Sequence, residues 1–263
     1  MKKLILPLVV LTSFNFVAHS APVFSENFDT YTDGNLVGQG GWLQLGTSTV
    51  NPIQVSAGTV SLANTGQDAN KAFTAPLTPT DGSSIYYGLT LNITAAQLTG
   101  DTFTLLTSGT GSTTFFSKLY AQSSGNGYVL GYSTSPNATV SYGSTVLDFN
   151  SPINVVVSYD SVSGALNDTG KVYVNPTSSI ESQNTVYVTG TYSGTTAEPT
   201  TLNSFNLRQG SSTAAPTITG LDNIAVSTLF SDVAQVTAVP EPSTYALLGM
   251  GGLALLLRRR SSK

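Results

Sequence analysis

Between residues 21 and 239 no segment keeps the 3.6-residue apolar period of a packed helix, and that absence constrains the fold more than any motif does. Short β-branched and aromatic runs recur instead, separated by Gly, Asn, Asp, Ser and Pro clusters, which is the pattern of an antiparallel β protein. Residues 84 to 93 alternate toward their end, placing Leu89, Leu91 and Ile93 on one face. Further strands are predicted over 102–106, 114–121 and 128–132, joined by glycine-bearing turns. The run 153–159 has a continuous apolar middle that predicts a central position, and 171–174 ends at Asn175-Pro176, where proline cannot donate to a ladder. Segments 202–208 and 218–227 close the domain. Roughly a dozen strands of this kind predict an all-β, two-sheet antiparallel sandwich.

Composition narrows the chemistry. There is no cysteine, and the one histidine, His19, lies in the N-terminal leader. The exported part thus has neither imidazole nor thiol, which excludes Ser-His-Asp and Cys-His nucleophile systems and zinc sites of the His/Cys kind. No disulfide can staple the fold, so the hydrophobic core alone must hold it, and about 220 residues suffice to build one. From Ala21 to Val239, four basic residues stand against thirteen acidic ones, a net charge of −9. Phosphate backbones repel such a surface, so nucleic acid is not an expected partner.

Both ends of the chain read as export signals. Met1-Lys2-Lys3 is a basic start, residues 4–17 are mostly apolar, and Ala18 and Ser20 are small residues set for signal peptidase cleavage before Ala21. At the other end Pro240-Glu241-Pro242 precedes an uncharged stretch, which Arg258, Arg259 and Arg260 follow. The 14 residues from Thr244 to Leu257 would make a helix only about 21 Å long, short of the ~30 Å hydrocarbon core. Gly249, Gly251 and Gly252 weaken it further, by about 1 kcal/mol each. The arginines form a basic stop signal that stays cytoplasmic, which places everything before Pro240 outside. A short span beside a Pro-Glu-Pro favours a transient anchor that is cut; a permanent C-terminal anchor is the competing reading. The expected division is a signal peptide over 1–20, a β-sandwich over 21–230 and a linker over 231–243. A transmembrane helix over 244–257 and a basic cytoplasmic tail over 258–263 complete it.

The order Pro-Glu-Pro, apolar segment, arginines resembles the PEP-CTERM sorting signal of Gram-negative bacteria. That resemblance implies recognition and processing by the membrane protease exosortase, at least transient residence in the inner membrane, and a mature form at the cell surface or outside. A second resemblance runs through the body. Glu26-Asn27-Phe28-Asp29, Tyr31, Asp33-Gly34, Leu36 and Gly40-Gly41-Trp42 look like the start of laminin G-like, concanavalin A-like modules. Residues 154–160 with 171–176 look like their central hairpin, and 220–227 like their last strand. The resemblance implies a jelly roll.

The Glu-x-Asp-x-x-Glu strand of family 16 jelly-roll glycosidases has no counterpart here, so no catalytic residue is expected and the chain is read as no enzyme. Trp42, the lone tryptophan, is a candidate sugar-stacking residue, with packing under the sandwich edge as the plainer alternative. Tyr86, Tyr87, Tyr120, Tyr128, Tyr132 and Tyr142 are candidates for a binding face, and half-buried strand tyrosines explain them as well. Asp160 and Asp168 flank a loop that could hold calcium, a candidate matched by a simple solvated turn; no other cofactor or metal is expected. The functional expectation is a noncatalytic exported surface or matrix protein associated with exopolysaccharide or biofilm. The alternatives are a carbohydrate-binding module with a defined sugar site and a divergent glycan-cleaving enzyme.

Overall fold

The computed structural model describes residues 21–109, 111–210 and 212–235. The leader with its cleavage site, Pro240 to Pro242, the apolar stretch 244–257 and Arg258 to Arg260 lie outside these residues.

Nearly all the regular secondary structure of the described chain is strand. In order come β1 (Phe24–Glu26), β2 (Gly34–Asn35), β3 (Leu43–Leu45), β4 (Gln54–Ser56), β5 (Thr59–Leu62) and β6 (Asp68–Leu77). Then follow β7 (Ser84–Ala95), β8 (Asp101–Thr107), β9 (Phe115–Ser124), β10 (Gly127–Ser133) and β11 (Ser141–Tyr142). The last strands are β12 (Ile153–Asp160), β13 (Thr169–Val174), β14 (Val188–Thr191), β15 (Leu202–Leu207) and β16 (Thr217–Ser227). A 3-10 turn at Glu181–Gln183 and one short helix, α1 (Phe230–Val233), complete the set.

These strands form two antiparallel sheets, a jelly-roll sandwich. Sheet A runs β14-β13-β12-β7-β16-β5-β4-β2, with β1 also pairing β16; sheet B runs β11-β10-β9-β8-β15-β6-β3. Neighbours in each sheet are mostly distant in sequence, so the sheets close only when the whole chain has been laid down. Strand alternation builds the core between them. Leu89, Leu91 and Ile93 of β7, and Val155 and Val157 of β12, face Phe205 and Leu207 of β15 and Leu119 and Ala121 of β9 in one continuous apolar cluster. The run 153–159 lies inside sheet A between β7 and β13. Its unbroken apolar character has a local reason: Val156 points outward, where Tyr86, Tyr173, Phe230 and Val233 form a second, smaller cluster. The packed domain therefore continues past residue 230, to Gln235.

Candidate functional site

The opening motif is structural. The Trp42 ring is 0% exposed, covered by Phe28 at 6.2 Å and met edge-on by Phe24 at 6.2 Å. Its Nε1 donates to Glu26 Oε2 at 3.3 Å, the oxygen that also accepts from Tyr31 Oη at 2.6 Å and pairs with Lys71 Nζ at 2.5 Å. Burial, then the Glu26 carboxylate beside it, pushes the Tyr31 phenol well above the usual tyrosine range. With no ring face at the surface, Trp42 cannot serve as a sugar platform; packing decides it.

The calcium candidate is corrected as well. Tyr159 and Asp160 are consecutive in β12, so their side chains leave opposite faces of the sheet. Asp160 points outward to Ser84 Oγ at 2.7 Å and Lys171 Nζ at 3.0 Å. Asp168, only 2% exposed, accepts from Tyr159 Oη at 2.5 Å and from the Val162 amide at 2.8 Å. The two carboxylates are not brought together, and among the described residues no group of three or more His, Cys, Asp or Glu is arranged to hold a metal. A cleft of about 560 Å³ does open beside Asp168, lined also by Asp81, Leu166, Glu198 and Pro199. Burial first, then the charge of Glu198, raises the Asp168 carboxyl. Glu198 Oε1 accepts from the Asn167 and Asp168 amides at 2.6 and 3.0 Å, so these acids tie down loop backbone.

The six candidate tyrosines separate sharply. Tyr87, Tyr128 and Tyr132 are buried in the core, and Tyr86 lies under α1. Tyr120 and Tyr142 remain half-buried, and register puts them on one outer face of sheet B. Gly131 stands opposite Tyr120 in β9 and opposite Tyr142 in β11. A Cβ at Gly131 would lie 2.6 Å from the Tyr142 ring, so the ring crosses the strand only because glycine is there. Leu119 and Ala121 point into the core, so Tyr120 and its neighbours Lys118 and Gln122 point out.

The same face carries Lys118 and Arg208, two of the four cations between residues 21 and 239. Arg208 Nη1 pairs with Asp101 Oδ1 at 2.7 Å. Lys118, 5% exposed, donates to the Pro136 carbonyl at 2.8 Å and lies 5.6 Å from the Tyr120 ring centre. Burial, helped by the Arg208 charge, lowers the Lys118 ammonium to about 8. Burial pushes the Tyr120 hydroxyl up to about 12 and raises that of Tyr142. Asn70 and Asn206 face each other across β6 and β15 on this side; both are buried, and each side-chain oxygen has no hydrogen-bond partner. Sequence reasoning singled out neither asparagine. The alternation Phe205-Asn206-Leu207 is the one signal that pointed outward.

Residues 238–260 match the PEP-CTERM protein-sorting motif. No curated protein matches the chain. Among solved structures it is similar to the globular domain of T. cruzi calreticulin, at 10% identity over 92% of this chain and 100% of that one, with a TM-score of 0.47. It is similar also to domain 4 of AbnA, a GH43 extracellular arabinanase of Geobacillus stearothermophilus solved with arabinotriose, at 15% identity, 82% and 98% coverage and a TM-score of 0.46. A third is the CBM2 module of the evolved Dit of Lactobacillus casei BL23 phage J-1, at 9% identity, 80% and 96% coverage and 0.46. The chain is a jelly-roll sandwich carrying a C-terminal PEP-CTERM signal, the mark of an exported precursor sorted by exosortase from a membrane-anchored C terminus.

Proposed function

We propose that the chain is a noncatalytic surface or matrix component that holds exopolysaccharide on the outer face of sheet B. One observation carries the reading: Tyr120 and Tyr142 stand half-exposed and side by side across Gly131. Aromatic rings offer an apolar body with a polar tip, which suits the alternating CH faces and hydroxyls of a sugar. A net charge of −9 favours neutral glycans over acidic ones. Glycosidic hydrolysis generally uses two carboxyl groups facing across the substrate, whereas Glu26, Glu181, Asp168 and Glu198 each accept hydrogen bonds from within the protein. That supports a role without turnover.

The test is a glycan array followed by co-sedimentation with the polysaccharide retained on it. Tyr142→Ala should weaken retention at least about tenfold, equivalent to ~1.4 kcal/mol. Undiminished retention by Tyr142→Ala and Tyr120→Ala removes this face from the function. Release of reducing ends from any polysaccharide replaces the binding role with an enzymatic one.

A further inference from the structure

The chain leaves the sandwich along an unusual path. After β16 ends at Ser227, residues 229–235 double back over the outer face of sheet A as a short strap. Phe230 inserts between two tyrosines, edge-on to Tyr86 at 5.6 Å and to Tyr173 at 5.2 Å. Val233 is buried against Val156, and its carbonyl lies so close to Gly88 that a Cβ there would come within 2.2 Å of it. The socket is itself braced, since Tyr86 and Tyr173 both donate to Glu181, at 2.7 and 2.5 Å. Gln235 then ties three strands together. Its side-chain oxygen accepts from Thr90 at 2.9 Å, its backbone carbonyl from Asn154 at 3.1 Å, and its amide nitrogen donates to the Asn223 carbonyl at 2.7 Å.

This clamp sits next to the sorting motif. Pro240 is five residues beyond Gln235, so with the strap docked it lies at most about 18 Å from Gln235, at ~3.6 Å per residue. Freed back to Ser227, the same connection has 13 residues and reaches about 47 Å. A protease working at the membrane has to engage an extended stretch on the N-terminal side of its motif. Only five residues from Gln235, it must do so close to the folded domain itself. We propose that release of the 229–235 strap from sheet A supplies the slack for processing at Pro240-Glu241-Pro242, so that strap docking sets the rate at which the precursor is cut. The inference rests on the sorting reading of the tail. The strap is also the part best suited to open alone: seven residues beyond the last strand, held by one small cluster apart from the main core.

The experiment is a pulse-chase of the full chain in its own host, following the mass of the precursor. Phe230→Ala should shorten the precursor half-life several-fold. A flexible eight-residue Gly-Ser insertion between Gln235 and Val236 leaves the docked strap intact and should do the same. The two combined should be no faster than the insertion alone, because each supplies the same slack. If the insertion leaves the half-life unchanged or lengthens it while Glu241→Ala still blocks cutting, the strap proposal falls and the sorting reading stands. If Glu241→Ala is processed like the parent, the sorting reading falls and takes the proposal with it.

Discussion

The two outer faces of the sandwich are built from the same residue types and put to opposite uses. On sheet A, Tyr86 and Tyr173 are buried beneath Phe230, and their hydroxyls are spent on Glu181. Lys171 there bridges Asp160 at 3.0 Å and Glu181 at 3.3 Å. On sheet B, Tyr120 and Tyr142 keep part of their rings at the surface, and buried Asn70 and Asn206 keep oxygens without partners. No helix among the described residues lies over that side. A tyrosine on a sheet is thus neither a binding residue nor a core residue by type. What decides is whether the chain returns to cover it, and whether its hydroxyl is already satisfied.

The comparison breaks most readily at Phe230. Phe230→Ala empties the socket on sheet A and should lower unfolding stability by about 3 kcal/mol, the low end for truncation of a buried phenylalanine, since the site can partly collapse. Glycan retention should be unchanged. Tyr142→Ala should show the converse, costing less than about 1 kcal/mol of stability while weakening retention at least about tenfold. Urea unfolding of both variants alongside sedimentation separates the faces; loss of retention in Phe230→Ala would mean that they are not independent.

A smaller effect is expected at Glu181. Burial alone would raise its carboxyl, but the hydroxyls of Tyr173 and Tyr86 and the Lys171 ammonium outweigh burial and hold it below the usual glutamate range. A depressed carboxylate contributes stability that is full above its unfolded value and is lost as pH falls through the folded one. Glu181→Gln should therefore cost about 1–2 kcal/mol at neutral pH, and the cost should shrink on acidification below about pH 4.5. A pH-independent difference between variant and parent, measured by urea unfolding from pH 3 to 7, would contradict this account of the socket.

The strands that surround these faces were largely legible in the sequence. The eight runs predicted over 84–93, 102–106, 114–121, 128–132, 153–159, 171–174, 202–208 and 218–227 correspond to β7, β8, β9, β10, β12, β13, β15 and β16. Alternation or dense β-branching marks them. The strand β6 carries Asn70 and Lys71 in its middle and Pro76 near its end, so its sequence reads as loop. It lies inside sheet B because Lys71 finds Glu26 and because Ala69, Phe73 and Leu77 still alternate into the core. The strap was illegible for a different reason. A four-residue helix with two buried side chains has no measurable period. Beside the buried Trp42, Leu45 points inward while Leu43 is exposed. As for the site, nothing local distinguishes Tyr120 and Tyr142 among twelve tyrosines. Only the pairing of β9, β10 and β11 across Gly131 joins them, and a strand of two residues such as β11 has no period from which its register could be read.

The smallest expected effect tests whether sheet B's polar face was built for stability at all. Lys118 lies nearly buried with its ammonium lowered to about 8, chiefly by desolvation. The sign follows from proton binding. Between about pH 8 and the ordinary lysine range near 10.5, the unfolded chain holds a proton that the folded chain has lost, so stability rises with pH across that window. Tyrosines act in the opposite sense. Tyr120, pushed up to about 12 by burial, and the other raised phenols keep their protons when folded, and their contribution is lost above about pH 10 as the unfolded chain ionises. The two trends leave a shallow maximum near pH 9, and the realised gain from pH 7.5 should be about 1 kcal/mol or less. Lys118→Met removes the buried charge while keeping most of the stem's packing, so the variant should be slightly more stable than the parent at pH 7.5 and lose that advantage by pH 9.5. Were Lys118→Met instead destabilising at every pH, the Pro136 carbonyl and the Tyr120 ring would hold the ammonium firmly enough to offset its burial. Lys118 would then be a brace like Lys171, and the contrast between the two faces would narrow to the aromatic pair alone.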